Sequence, residues 1–149
     1  ALAAALRQSY GIERGDRVAL AMRNRPEWMA AYAAIILCGG VAVPLNSWGQ
    51  REELVYGIED SAPRLLFCDA QRLAHVVEDL AALKLTAIVV DAKPADLNAG
   101  TGIAGYQDVI VSAPALQPAA CRSRPARAPR PGRPHGRRPA RRRTHGVSG

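Results

Sequence analysis

The chain has 149 residues, 48% of them hydrophobic, with 20 lysines and arginines against 13 acids and a formal net charge of +7. That length suffices for one domain with its own core. The charge is unevenly placed: residues 1–120 hold ten basic side chains and all thirteen acids, whereas residues 121–149 hold ten arginines and no acid, so a broad polyanion-binding surface on the first part is excluded by its net charge. The three cysteines, Cys38, Cys68 and Cys121, are odd in number and far apart, which excludes a disulfide framework or a CxxC metal site and predicts reduced thiols in a cytoplasmic protein.

Apolar spacing over residues 2–10 is helical, and the opening "ALAAAL" reads as a helix entered partway, not as a signal peptide. "YGIERGDR" breaks it with two glycines and a polar turn, and "VALAM" (18–22) predicts a short buried strand. The helix in "RNRPEWMAAYAAIILCGG" is well punctuated. Pro26 stands at the first helical position, Glu27 lies where the helix dipole favours a carboxylate, and Gly39-Gly40 can take a left-handed stop. Its run 28–38 is apolar nearly all round, so coverage on several sides is expected. A helix of about 13 residues spans roughly 20 Å, short of the ~30 Å of a bilayer core, so no transmembrane segment is predicted.

"VAVPLN" (41–46) reads as the second strand, with Pro44 marking a strand end or a sheet edge. "REELVYGIEDS" (51–61) is an amphipathic helix with Leu54 and Ile58 on one face, and "RLLFCD" (64–69) is a strand. "AQRLAHVVEDLAAL" (70–83) reads as one helix carrying Leu73, Val76, Val77, Leu80 and Leu83, and "TAIVVD" (86–91) as a strand rich in β-branched residues. The alternation predicts the α/β class, a parallel βαβ sheet flanked by helices. Sites in such sheets lie outside the carboxyl ends of the strands, which places "MRNRPE", "PLNSWG" and "CDAQR" on the functional rim.

The motifs in the chain carry little chemistry of their own. "GTGIAG" (100–105) matches GxGxxG, but the pattern works only where a strand ends immediately before the first glycine. Here "AKPADLNA" intervenes, so a loop is predicted. His75 has no second ligand at metal spacing and reads as an ordinary helix residue. Glu52-Glu53 and Glu59-Asp60 read as a solvated helix face, and Cys38 and Cys68 as small buried hydrophobes. Trp48 either lines a ligand cleft or caps the sheet edge. No GxSxG, HExxH or GxxxxGK[ST] occurs, so the residues nominate no catalytic, cofactor-binding or metal-ligating position.

"GDRVAL" for the first strand, "NRPEW" opening the next helix, "GGVAVPLN" for the second strand and the unit "EELVYGIEDSAPRLLFCD" together resemble the amino-terminal region of the class I adenylate-forming enzymes, most nearly fatty-acid and other acyl-CoA ligases. The resemblance runs over residues 1–116, where "GYQDVIVSAPAL" looks like the segment before the family's phosphate loop. It implies a ligase of fatty-acid metabolism that uses ATP and Mg²⁺ to form an acyl-adenylate and then passes the acyl group to coenzyme A. The same resemblance implies that the phosphate loop ending in Pro-Lys-Gly, the magnesium-binding Glu and the catalytic Lys follow later in such enzymes, and none of these is found here. This chain alone is therefore expected to hold none of those cofactors and to be inactive.

Two domains are expected: residues 1–116 as the partial ligase-like α/β region, and residues 117–149 as a disordered basic tail. From residue 121 onward, 22 of 29 residues are Arg, Pro, Gly or Ala, the mixture that a GC-rich gene gives when read out of frame. The alternative is a small non-enzymatic protein that binds nucleic acid non-specifically through its arginines. Without an aromatic residue in that segment to stack on bases, such binding would be incidental, and no specific partner is implied.

Overall fold

A computed structural model describes residues 1–98, 100 and 102–113. The proposed boundary at 116/117, the basic segment and Cys121 lie outside the described residues. Five strands, β1 (Arg17–Ala21), β2 (Val41–Pro44), β3 (Leu65–Asp69), β4 (Thr86–Val90) and β5 (Ile103–Gly105), form one sheet in the order β2-β1-β3-β4-β5. Every pairing is parallel, with Val18 opposite Ala42 and Leu65, and Phe67 opposite Ile88. The helices are α1 (Leu2–Gln8), α2 (Pro26–Leu37), α3 (Arg51–Ser61), α4 (Ala70–Val76), α5 (Leu80–Leu83), α6 (Pro94–Leu97) and α7 (Tyr106–Val111). The expected α/β architecture of parallel strands flanked by helices is what the chain adopts.

Side chains alternate across a strand, so a strand buried on both faces must be apolar throughout. Leu65, Phe67, Val18, Leu20, Ile88 and Val90 point to one core with Leu6, Ile12 and Ile35. Ala19, Ala21, Leu66, Cys68, Ala87 and Val89 point to the other with Leu54, Ile58, Leu73, Val76 and Leu80. Phe67 is fully buried and meets Tyr106 edge to face at 6.5 Å. Pro44 ends β2, and β2 is an edge strand, so its missing N–H costs the sheet no interior hydrogen bond.

Helix α2 starts at Pro26 and ends as its glycines dictate. Gly39 takes φ +77°, its N–H donates to the Ile36 carbonyl, and the Gly40 N–H donates to the Ile35 carbonyl. Its coverage differs from expectation. Ala31, Ala34 and Ile35 are buried, but Met29, Tyr32, Ile36 and Leu37 face outward, because among the described residues the helix lies on the outside of one layer, packed mainly against α1, β1 and β2.

Two further departures appear after residue 69. The segment 70–83 is not one helix: α4 stops at Val76, a turn of Val77, Glu78 and Asp79 follows, and α5 restarts at Leu80. The break lets Leu80 enter the core while Asp79 pairs with Arg51 on α3 at 2.8 Å. The segment after β4, expected to be loop, contains α6 and a fifth strand, with Ile103 opposite Ala87 and Gly105 opposite Val89.

Candidate functional site

Strand β1 connects through α2 to β2 on one side, and the chain then returns through α3 to β3 on the other side of β1. Strand order reverses there, and the crevice at the carboxyl ends of such neighbouring strands is where open α/β sheets receive ligands. The residues leaving β1, β2 and β3 meet at this point.

Asp69 ends β3 and caps α4. Its Oδ1 accepts the Arg72 backbone N–H at 3.0 Å, and its Oδ2 accepts the Arg23 backbone N–H at 3.2 Å across the crevice. The Arg72 side chain is buried against it, with Nη1 at 3.3 Å from Oδ1 and 3.2 Å from Oδ2. Arg72 Nε donates to the Ser47 carbonyl at 2.7 Å, Nη2 donates to the same oxygen, and Nη1 also reaches Gln71 Oε1 at 2.9 Å. A buried arginine survives only with its charge and its donors matched, and this fork meets both needs.

Above this pair the Arg23 guanidinium stacks on the Trp48 ring, 3.5 Å from its centroid. Arg23, Asn24, Ser47 and Trp48 line a cleft of about 320 Å³, and Trp48 is 70% exposed. Trp48, which follows the edge strand β2, thus lines this cleft. A second cavity of about 310 Å³, at the ends of β4 and β5, is lined by Asp91, Pro94, Leu97, Tyr106 and Asp108 among others. Arg25 joins the two regions by pairing with Asp91, and this hydrogen bond holds the guanidinium pKa above its ordinary value.

The three rim segments named from sequence, "MRNRPE", "PLNSWG" and "CDAQR", are brought together by these contacts. The Asp69–Arg72 pair was not singled out from sequence, although an Asp directly before a helical run is a legible N-cap signal for Asp69 alone. The glycines of "GTGIAG" sit elsewhere. Gly102, at φ +80°, accepts the Ala87 N–H at the amino end of β4, and Ile103–Gly105 form β5 itself. A pyrophosphate there would face the wrong end of the sheet.

His75 is half-buried on α4, and Glu52, Glu53, Glu59 and Asp60 are exposed on α3. Cys38 and Cys68 are buried and unpaired with each other. Burial pushes both thiols up, Cys68 the further, with the neighbouring Asp69 charge adding to it. Among the described residues no three His, Cys, Asp or Glu side chains gather as they would around a metal ion. No chemical step is assigned to these residues.

The sequence is 36% identical over 112 residues to the 3-hydroxybenzoate–CoA ligase of Aromatoleum sp. (strain CIB), covering 72% of this chain and 21% of that protein. It is 43% identical over 74 residues to the 3-hydroxybenzoate–CoA/4-hydroxybenzoate–CoA ligase of Thauera aromatica, covering 50% of this chain and 14% of that protein. The chain thus spans about a fifth or less of the length of these relatives. Among solved structures, its fold is shared with the anthranilate CoA ligase AuaEII, at a TM-score of 0.68 and 24% identity over 80% of this chain and 22% of that one. The N-terminal domain of FACL13 from Mycobacterium tuberculosis gives a TM-score of 0.56 and 28% identity over 79% of this chain and 28% of that one. The sequence profile of the AMP-binding enzymes matches residues 1–134. With strand order, rim and relatives in agreement, the chain belongs to the AMP-binding enzyme family.

Proposed function

We propose that this chain supplies the amino-terminal α/β part of an acyl-CoA ligase-like enzyme, one that activates a carboxylic acid with ATP and Mg²⁺ and delivers the acyl group to coenzyme A. The observation that carries this reading is the family match over residues 1–134, together with relatives named as CoA ligases. Its own contribution is the scaffold and the carboxyl rim: Asp69 and Arg72 fix the loops, and Arg23 and Trp48 form a cationic, aromatic-walled cleft. Taken alone, these 149 residues are inactive in this reading, because the phosphate loop, magnesium-binding Glu and catalytic Lys that the family resemblance implies are not among them.

The relatives reported above are CoA ligases, which favours this reading over a small protein that binds nucleic acid through its arginines. The buried, unpaired Cys38 and Cys68 suit a reducing cytoplasm, and no described helix is long and apolar enough to cross a membrane.

Exchanging residues 1–113 into the corresponding part of the Aromatoleum ligase tests the proposal. A folded chimera is expected to form 3-hydroxybenzoyl-CoA from ATP, coenzyme A and the acid. A folded, monodisperse chimera with no thioester formation would count against it.

A further inference from the structure

We infer that Arg72 is a positioning residue, whose buried guanidinium sets the two walls of the Arg23–Trp48 cleft through backbone contacts. Arg72 controls the peptide groups on both sides of the cleft. The carbonyl of Ser47 and the N–H of Trp48 belong to one peptide plane. Arg72 Nε and Nη2 hold its oxygen, while its N–H donates to Asn46 Oδ1 at 3.0 Å. A plane hydrogen-bonded at both edges cannot rotate without breaking one of them, so the direction in which Trp48 leaves the loop is fixed.

The opposite wall is fixed through the same ion pair. Asp69 Oδ2 accepts the Arg23 N–H, and Arg72 Nη1 lies 3.2 Å from that oxygen. One buried pair thereby orients a residue after β1 and a residue after β2, and brings the Arg23 guanidinium onto the Trp48 ring at 3.5 Å. Arg72 is 4% exposed and does not line the cleft, so it acts through these neighbours alone. The chain packs the loop tightly at the next position: a Cβ at Gly49 would stand 3.1 Å from the Asn46 carbonyl and 3.2 Å from Glu53 Oε2.

The chemistry requires a fork. Three nitrogens of one planar group serve Ser47 on one side and Asp69 on the other, which a single lysine ammonium cannot reproduce. Arg72→Lys therefore keeps the charge beside Asp69 but releases the loop.

The chain has two tryptophans, so Trp28→Phe leaves Trp48 as the single reporter while preserving an aromatic ring against Tyr32. In that background, the near-UV circular dichroism of Trp48 is expected to fall by about half or more in Arg72→Lys and in Arg72→Met, with far-UV spectra and cooperative melting retained. Arg51→Met, which breaks the exposed pair with Asp79, is the control and is expected to leave the band unchanged. If Arg72→Met does not fold, Arg72→Lys alone decides. A folded Arg72→Lys protein with the full Trp48 band overturns the inference, as does an equal loss in Arg51→Met. The inference goes beyond the ligase reading, and its readout is spectroscopic, so an inactive chimera and an unmoved Trp48 are separate results.

Discussion

Asp69 works in both directions along the chain: it caps α4 at the Arg72 N–H and holds the Arg23 N–H at the end of β1, while its charge matches the buried Arg72. Removing one partner of such a pair strands the other without water. Asp69→Ala is therefore expected to cost on the order of 3–5 kcal/mol in urea unfolding, and the double variant Asp69→Leu/Arg72→Met distinctly less. Arg51→Ala breaks a pair whose arginine is 49% exposed and should cost less than about 1 kcal/mol, a loss that shrinks further in salt. Equal costs for Asp69→Ala and Arg51→Ala would contradict this ordering. The pair escaped the sequence reading because nothing in "CDAQR" shows that Ser47 lies beside it, a contact made only by the fold.

The buried thiols give a second test at this scale. Folding raises the Cys68 and Cys38 pKa values by desolvation, so the folded state keeps protons that the unfolded chain loses. Their contribution to stability is fully present below the ordinary thiol value near pH 8.5 and declines as the pH climbs above it, more for Cys68 than for Cys38. In Cys121→Ser protein, a thiol reagent at pH 8 should modify neither remaining cysteine until the chain unfolds. The midpoint of urea unfolding should drop between pH 8 and pH 10, and less steeply in Cys68→Ala. Rapid labelling of native protein would contradict the burial.

At the scale of elements, backbone conformation decides where helices stop. α2 ends on Gly39, a residue free to take its left-handed geometry, whereas α3 ends on Ala62 at φ +42° and α5 on Lys84 at φ +52°, where a Cβ is unfavourable. Ala62→Gly is expected to stabilise the fold by about 1 kcal/mol, read as a raised melting temperature, and Gly39→Ala to lower it by a similar amount. The reverse signs would show that side-chain packing outweighs backbone geometry at these turns. Four strands and the long helix were legible because their signals are local: short apolar runs between polar or glycine turns, Pro26 at the helix start, paired glycines at its end. β5 was not. Three residues, Ile103–Gly105, form a strand only because the backbone edge of β4 is there to pair with them, and no periodicity fits in three positions. The split between α4 and α5 was hidden for a similar reason, since the apolar pattern of Leu73, Val76, Val77, Leu80 and Leu83 continues through the turn.

Among the described residues, strands β1, β3 and β4 are covered on both faces, but the outer side of α2 is not. Met29, Ile36 and Leu37, with the partly exposed Tyr32 that stacks on Trp28, leave an uncharged apolar surface among the described residues. Such surfaces promote association. Ile36→Glu with Leu37→Lys is expected to lower dye binding and light scattering of the purified chain while leaving its melting transition in place; unchanged scattering would show that this face is not the sticky one. The fold class and the rim were readable from the sequence because alternating strands and helices dictate them, but the cleft was not, because Arg23 and Trp48 become neighbours only when β1 and β2 pair. The most direct measurement of the central claim is pyrophosphate release by the full 149-residue chain with ATP, Mg²⁺ and a panel of hydroxybenzoates and fatty acids. No release above the enzyme-free blank is the expected result, whereas saturable, acid-dependent release with acyl-adenylate formed in step would contradict the account.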